Sequence, residues 1–127
     1  MNENELAFGK FIEERRKALG ITLRGFAAEL EIAPAYMSDI EKGRRYPPDK
    51  KLDDIARILK LSADDKSRLL DMAAMTRTKS VSPDLPEYIM EKDLARVALR
   101  RARDGKLSDE GWREVIDLIN KKVGDEE

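Results

Sequence analysis

Residues 20 to 46 constrain this chain more than any other stretch. Thr22 precedes a run in which Phe26, Ala27 and Leu30 share one face, which predicts a short helix from Thr22 to about Leu30. Pro34 is pre-shaped for the first position of a second helix. Met37 and Ile40, three residues apart, give that helix its buried face, and Gly43 suits its terminus. The residues between leave room for a tight turn only. A basic exit follows: between Lys42 and Lys51 the cations Lys42, Arg44, Arg45, Lys50 and Lys51 stand against Asp49 alone. Helix, turn, helix and a cationic exit is an arrangement that can lay a helix in the major groove of DNA.

The flanking sequence extends the helical pattern. Leu6, Phe8, Phe11, Ile12 and Leu19 predict a first helix from Asn4 to Leu19, ended by Gly20. Tyr46-Pro47-Pro48-Asp49 reads as a turn. Leu52, Ile55, Ile58 and Leu59 stripe a fourth helix over about 50–60, and Ser62 with Asp65 resembles an acidic capping box for a fifth that runs to Met75. Residues 76–86 are rich in Ser, Thr and Pro and read as a linker. Beyond it, one helix is expected from Glu87 to about Arg103 and a last one capped by Ser108, with Trp112, Val115, Ile116 and Ile119 at helical spacing. A helix pair this small cannot bury both apolar faces alone. The expected organisation is all-α: a five-helix unit over 1–75, a linker over 76–86 and a helical hairpin over 87–127.

Composition narrows the function classes. The 127 residues are 41% hydrophobic and 40% charged with a formal net charge of −1, so the basic character is local and not global. Without cysteine there is neither a disulfide framework nor a thiolate metal site, and without histidine the usual neutral-pH base is missing. The adjacent carboxylates Asp53-Asp54 and Asp64-Asp65 diverge on a helix and suit first turns better than a metal site. No enzyme, metal or cofactor is expected. The N-terminus lacks the features of a signal peptide and no apolar run is long enough to span a bilayer, so the expected setting is cytoplasmic, away from membranes.

Residues 8 to 61 resemble the lambda-repressor/Cro-like helix-turn-helix domains of the Xre family. The resemblance rests on Arg16-Lys17-Ala18-Leu19-Gly20-Ile21-Thr22, on Phe26-Ala27, and on Tyr36-Met37-Ser38-Asp39-Ile40-Glu41-Lys42-Gly43-Arg44-Arg45. It implies that Pro34, Ala35 and Asp39 lie toward base edges, that Ser38 is among the DNA-binding residues, that Lys42, Arg44 and Arg45 lie near phosphates, and that Thr22 to Arg24 approach the phosphates of the flanking strand. It also implies a structural ion pair between Arg16 and Glu41. Tyr36 is divided between the groove wall and the domain's own packing, and Asp39 between a cytosine amino group and neutralising Arg45. The chain departs from the family at Leu23, where many relatives carry a phosphate-binding glutamine and Arg24 is the candidate replacement. It departs again at Glu31, where glycine is common, and at Pro34 and Ala35, which offer only apolar contact to bases.

The expectation is a sequence-specific regulator, a repressor that binds a two-fold operator in double-stranded DNA as a homodimer. The alternative is an antitoxin that sequesters a small toxin through its C-terminal helices and represses its own operon. A third reading is a repressor cut by a protease in the linker. Leu94, Val97, Trp112, Val115, Ile116 and Ile119 are the candidate dimer or partner surface.

Overall fold

Among the described residues, five helix ends close in the same way. After the last helical turn, one residue takes a left-handed conformation and two amides reach back to the carbonyls left without partners. At Gly20 (φ +71°) the Gly20 and Ile21 amides bond Lys17 and Arg16. At Gly43 (φ +80°) the Gly43 and Arg44 amides bond Ile40 and Asp39. Glu31, Lys60 and Lys106 close their helices identically at φ +58°, +56° and +54°.

The computed structural model describes residues 3–77 and 80–124, and its helices are α1 (Glu3–Ala18), α2 (Leu23–Glu29), α3 (Pro34–Glu41), α4 (Asp49–Ile58), α5 (Ala63–Met75), α6 (Pro86–Glu91), α7 (Asp93–Asp104) and α8 (Asp109–Gly124). No strand occurs among the described residues. None of these helices is long and apolar enough to cross a membrane. The fold is that of a lambda-repressor-like helix-turn-helix domain followed by extra C-terminal helices. Two compact units divide the chain, one ending at Pro86 and the other beginning at Glu87.

The first unit encloses one core. Phe8, Phe11 and Ile12 of α1 meet Phe26, Ala27 and Leu30 around α2, Met37 and Ile40 of α3, Leu52 and Ile55 of α4 and Leu69 of α5. Leu6 and Leu19, expected on the inner stripe of α1, are exposed: Leu6 is out of phase with the buried stripe of Phe8, Gly9, Ile12 and Arg16, and Leu19 lies beyond the helix's last residue. Asp64 and Asp65 occupy the first turn of α5, where Ser62 Oγ accepts the Asp65 amide at 3.1 Å. Asp53 and Asp54 instead lie within α4, paired with Lys66 at 3.0 Å and Arg57 at 3.4 Å. Around the stretch expected to link the units, Thr76 and Ser82 are buried, and Ser82 Oγ donates to Asp71 at 2.6 Å.

The second unit differs from the single helix expected over 87–103. It breaks at Lys92 (φ −115°, ψ 97°), giving α6 and α7. The cause is Arg96, whose guanidinium reaches back to the Ile89 and Met90 carbonyls at 2.9 and 2.6 Å and also pairs with Asp93. Those are the carbonyls that a continuous helix would give to the Asp93 and Leu94 amides. Further on, Ser108 Oγ accepts the Gly111 amide at 3.0 Å and starts α8. No described residue of α6, α7 or α8 is buried.

The strained turn at Glu31 carries a prediction. A non-glycine residue held left-handed costs about 1–2 kcal/mol, part of which glycine returns to the unfolded chain as entropy. Glu31→Gly should therefore stabilise the first unit by about 0.5–1 kcal/mol in a denaturant titration. A destabilised variant would show that the Glu31 side chain holds the turn.

Candidate nucleic-acid interface

The geometry of the helix-turn-helix begins at Thr22. Its Oγ1 accepts the Gly25 amide at 3.0 Å and caps α2, leaving Arg24 exposed in the first turn. At the other end of α2, Lys51 reaches from α4 to donate its Nζ to the Leu30 carbonyl at 2.7 Å. The turn then runs through Glu31 to Ala33, and Pro34 opens α3 with no side-chain cap.

The inner face of α3 is Met37, Ile40 and Glu41. Its end lies so close to α1 that a Cβ placed on Gly9 would stand 2.3 Å from the Glu41 carbonyl oxygen and 2.6 Å from that of Ile40. Beside this contact Arg16 grips Glu41 with two bonds, Nε to Oε2 at 2.7 Å and Nη2 to Oε1 at 2.9 Å. A third guanidinium bond goes to the Ile21 carbonyl at 2.9 Å. The hydrogen-bonded carboxylate outweighs burial and raises the Arg16 pKa, so this side chain stays charged. Both partners are buried, which makes the pair a tie between α1 and α3 and keeps Glu41 from facing an anionic ligand.

The outer face of α3 is open. Pro34 and Ala35 are exposed, and Ser38 and Asp39 are half-buried. Asp39 does not pair with Arg45, the partner its charge suggested; the nearer cation is Arg44, at 3.8 Å. Arg45 lies over the ring of Tyr36, 4.0 Å from its centroid. The Tyr36 hydroxyl donates to the Tyr46 carbonyl at 2.7 Å, so Tyr36 both packs on the domain and supports a cation.

The basic exit is smaller in space than in sequence. Lys51 is turned inward to Leu30, and Arg44 is near Asp39. Asp49, the one acid in the run, pairs with Arg77 at 3.1 Å. Among the described residues, Arg24, Lys42, Arg45 and Lys50 are exposed without an acidic partner within ion-pair distance. Exposed cations flanking an open helix are suited to an anionic backbone with a groove between its strands. In the second unit, Trp112 and Val115 are half-buried, whereas Leu94, Val97, Ile116 and Ile119 are exposed, Leu94 at 82%.

Sequence reasoning missed three residues that position this surface. Gly9 interrupts an otherwise helical pattern, which is a readable sign of close backbone approach. Tyr46 and Arg77 carry no comparable local sign, because their contacts span 30 residues of chain.

The family model described as "Helix-turn-helix" matches residues 12–66. A Bacillus subtilis protein named as the uncharacterised HTH-type transcriptional regulator YazB is 38% identical over 58 residues, 46% of this chain and 84% of that protein. Among solved structures, the clp gene regulator ClgR from C. glutamicum is similar at 28% identity and a TM-score of 0.48, covering 59% of this chain and 92% of that one. A SinR protein/SinI protein complex is similar at 21% identity and a TM-score of 0.45, covering 92% and 98%. At such scores the family assignment stands on the family model and the sequence relative, over the same residues that build the open helix and its cationic rim. The chain belongs to the Xre-like family of helix-turn-helix proteins and is a DNA-binding transcriptional regulator.

Proposed function

We propose that this regulator represses transcription by binding a two-fold operator as a homodimer. In this reading α3 enters the major groove with Pro34, Ala35, Ser38 and Asp39 toward base edges. Thr22 and Arg24 meet one phosphate strand, and Tyr36, Lys42, Arg44 and Arg45 the other. The observation that carries the reading is the open face of α3 beside Lys42 and Arg45, two exposed cations without an acidic partner among the described residues. Pro34 and Ala35 bring no donors to the bases. Specificity then comes from thymine methyls, DNA shape and the spacing of two copies.

One recognition helix reads only a few base pairs, so a useful operator needs two copies about one DNA turn apart, ~34 Å. The second unit supports a dimer. Leu94, Val97, Ile116 and Ile119 are exposed apolar side chains on helices in which no described residue is fully buried. Repression follows from occupancy of a promoter alone.

The experiment is a salt series of binding titrations, with sedimentation to weigh the species. Arg45→Ala should weaken binding about tenfold and flatten the log–log salt slope by roughly 0.9, the signature of one lost phosphate contact. Arg44→Ala should do less, since Asp39 already shares its charge. Trp112→Ala should yield monomers with weaker operator binding. An Arg45→Ala protein with wild-type affinity and slope would remove α3's exit from the interface. A Trp112→Ala protein that remains dimeric would free the hairpin for a different partner, such as a small toxin.

A further inference from the structure

Arg77 lies outside the residues matched to the family, yet it makes three contacts with the loop that leaves α3 and the first residue of α4. Its guanidinium pairs with Asp49 at 3.1 Å, lies 5.0 Å from the centroid of the Tyr46 ring, and stands 3.5 Å from the Pro47 carbonyl. The neighbouring Thr76 carbonyl accepts the Tyr46 hydroxyl at 2.6 Å. Tyr46 in turn accepts the Tyr36 hydroxyl at its own carbonyl, 2.7 Å away, and Tyr36 carries Arg45 on its ring at 4.0 Å. Contiguous contacts therefore run from the end of α5 to the cation at the exit of α3.

We propose that Arg77 is a positioning residue for DNA binding. It cancels the one carboxylate within the basic exit and fixes the loop that holds Tyr36 beneath Arg45. Asp49 heads α4 within the same stretch of sequence as Lys42, Arg45 and Lys50, where an uncompensated carboxylate would repel a phosphate strand. Arg77 removes that repulsion without touching DNA. The assignment rests on the interface reading above, because it concerns the field and geometry of the same cations.

The test uses the full chain and a duplex of about 30 base pairs, long enough for two half-sites, recovered by selection from a random pool. Arg77→Ala should weaken binding about fivefold, the upper end of what a half-exposed ion pair is worth, with the salt slope unchanged. Adding Asp49→Asn to Arg77→Ala should return affinity to within about twofold of wild type, since the exposed carboxylate is then gone. Thermal melting accompanies each titration. If Arg77→Ala is unfolded at the assay temperature, Arg77→Lys replaces it, and a loss of about twofold is expected because charge is kept and the fork is not. Wild-type affinity in the substituted protein overturns the proposal. So does a slope reduced by roughly one without rescue by Asp49→Asn, which would make Arg77 a direct phosphate ligand. If the wild-type chain binds no duplex, the interface reading itself fails, an outcome distinct from wild-type binding that Arg77→Ala leaves untouched.

Discussion

Replacing Gly9 with alanine should destabilise the first unit by about 2–4 kcal/mol and lower its Tm on the order of 10–20 °C. The change adds one methyl group and, by helix propensity alone, would be favourable by about 1 kcal/mol. Space decides the sign. The new Cβ would lie 2.3 Å from the Glu41 carbonyl oxygen and 2.7 Å from its carbonyl carbon. Both atoms are backbone at the end of α3, so no side chain can swing aside. Either α1 backs away from α3, opening the core around Phe8 and Ile40, or the end of α3 unwinds. Both outcomes displace the cationic exit, so DNA affinity should fall with stability. Gly124→Ala serves as the control, because nothing lies within 4 Å of the Cβ it would add. A Gly9→Ala protein that melts with the wild type would show that the helices are not packed at this distance.

Removing the carboxylate of Glu41 should cost about 3–5 kcal/mol, because Glu41→Ala strands a buried guanidinium. The side chains of Arg16 and Glu41 are only 9% and 3% exposed, so water cannot replace the lost partner. Replacing both, as Arg16→Met with Glu41→Leu, should recover most of that loss, since two apolar chains carry no desolvation penalty. Recovery should be incomplete: the Ile21 carbonyl would still lack the bond that Arg16 gives it at 2.9 Å. The raised pKa of Arg16 sets the pH behaviour. Stability from a raised group is fully present below its unfolded pKa and is lost only as pH climbs through the folded one. Here that lies beyond the ordinary arginine range, so the pair should hold through neutral and mildly alkaline solution. Urea midpoints for the wild type and the two variants check this. A double variant as unstable as Glu41→Ala would mean that shape, not charge, limits the site.

What could be read from sequence was local. Thr22, Pro34, Gly43 and Ser62 mark helix ends because capping depends on neighbours a few residues away, and each lies at a helix end in the fold. The buried stripes of α2, α3 and α4 followed from spacing for the same reason, whereas Met75, which helical spacing groups with Leu69, Leu70 and Ala73 in α5, is exposed. Features set by long reach were hidden. The break at Lys92 exists because Arg96 turns back to two carbonyls, which no periodicity announces. Sequence set Lys42, Arg44 and Arg45 near phosphates and offered Arg45 as a partner for Asp39, yet it is Arg44 that faces Asp39, Arg45 stacks on Tyr36 and Lys51 serves Leu30. Asp49, the one acid of the run, is paired by Arg77, 28 residues along the chain, which no local pattern announces.

In the proposed complex two copies of α3 read one DNA site. Selecting bound duplexes from a random pool tests it most directly, because sequence and spacing return together. The expected result is two inverted half-sites with centres about one helical turn, roughly 10 base pairs, apart, and weak preference where Pro34 and Ala35 approach the bases. A single unpaired motif, or enrichment of no sequence at all, would contradict it.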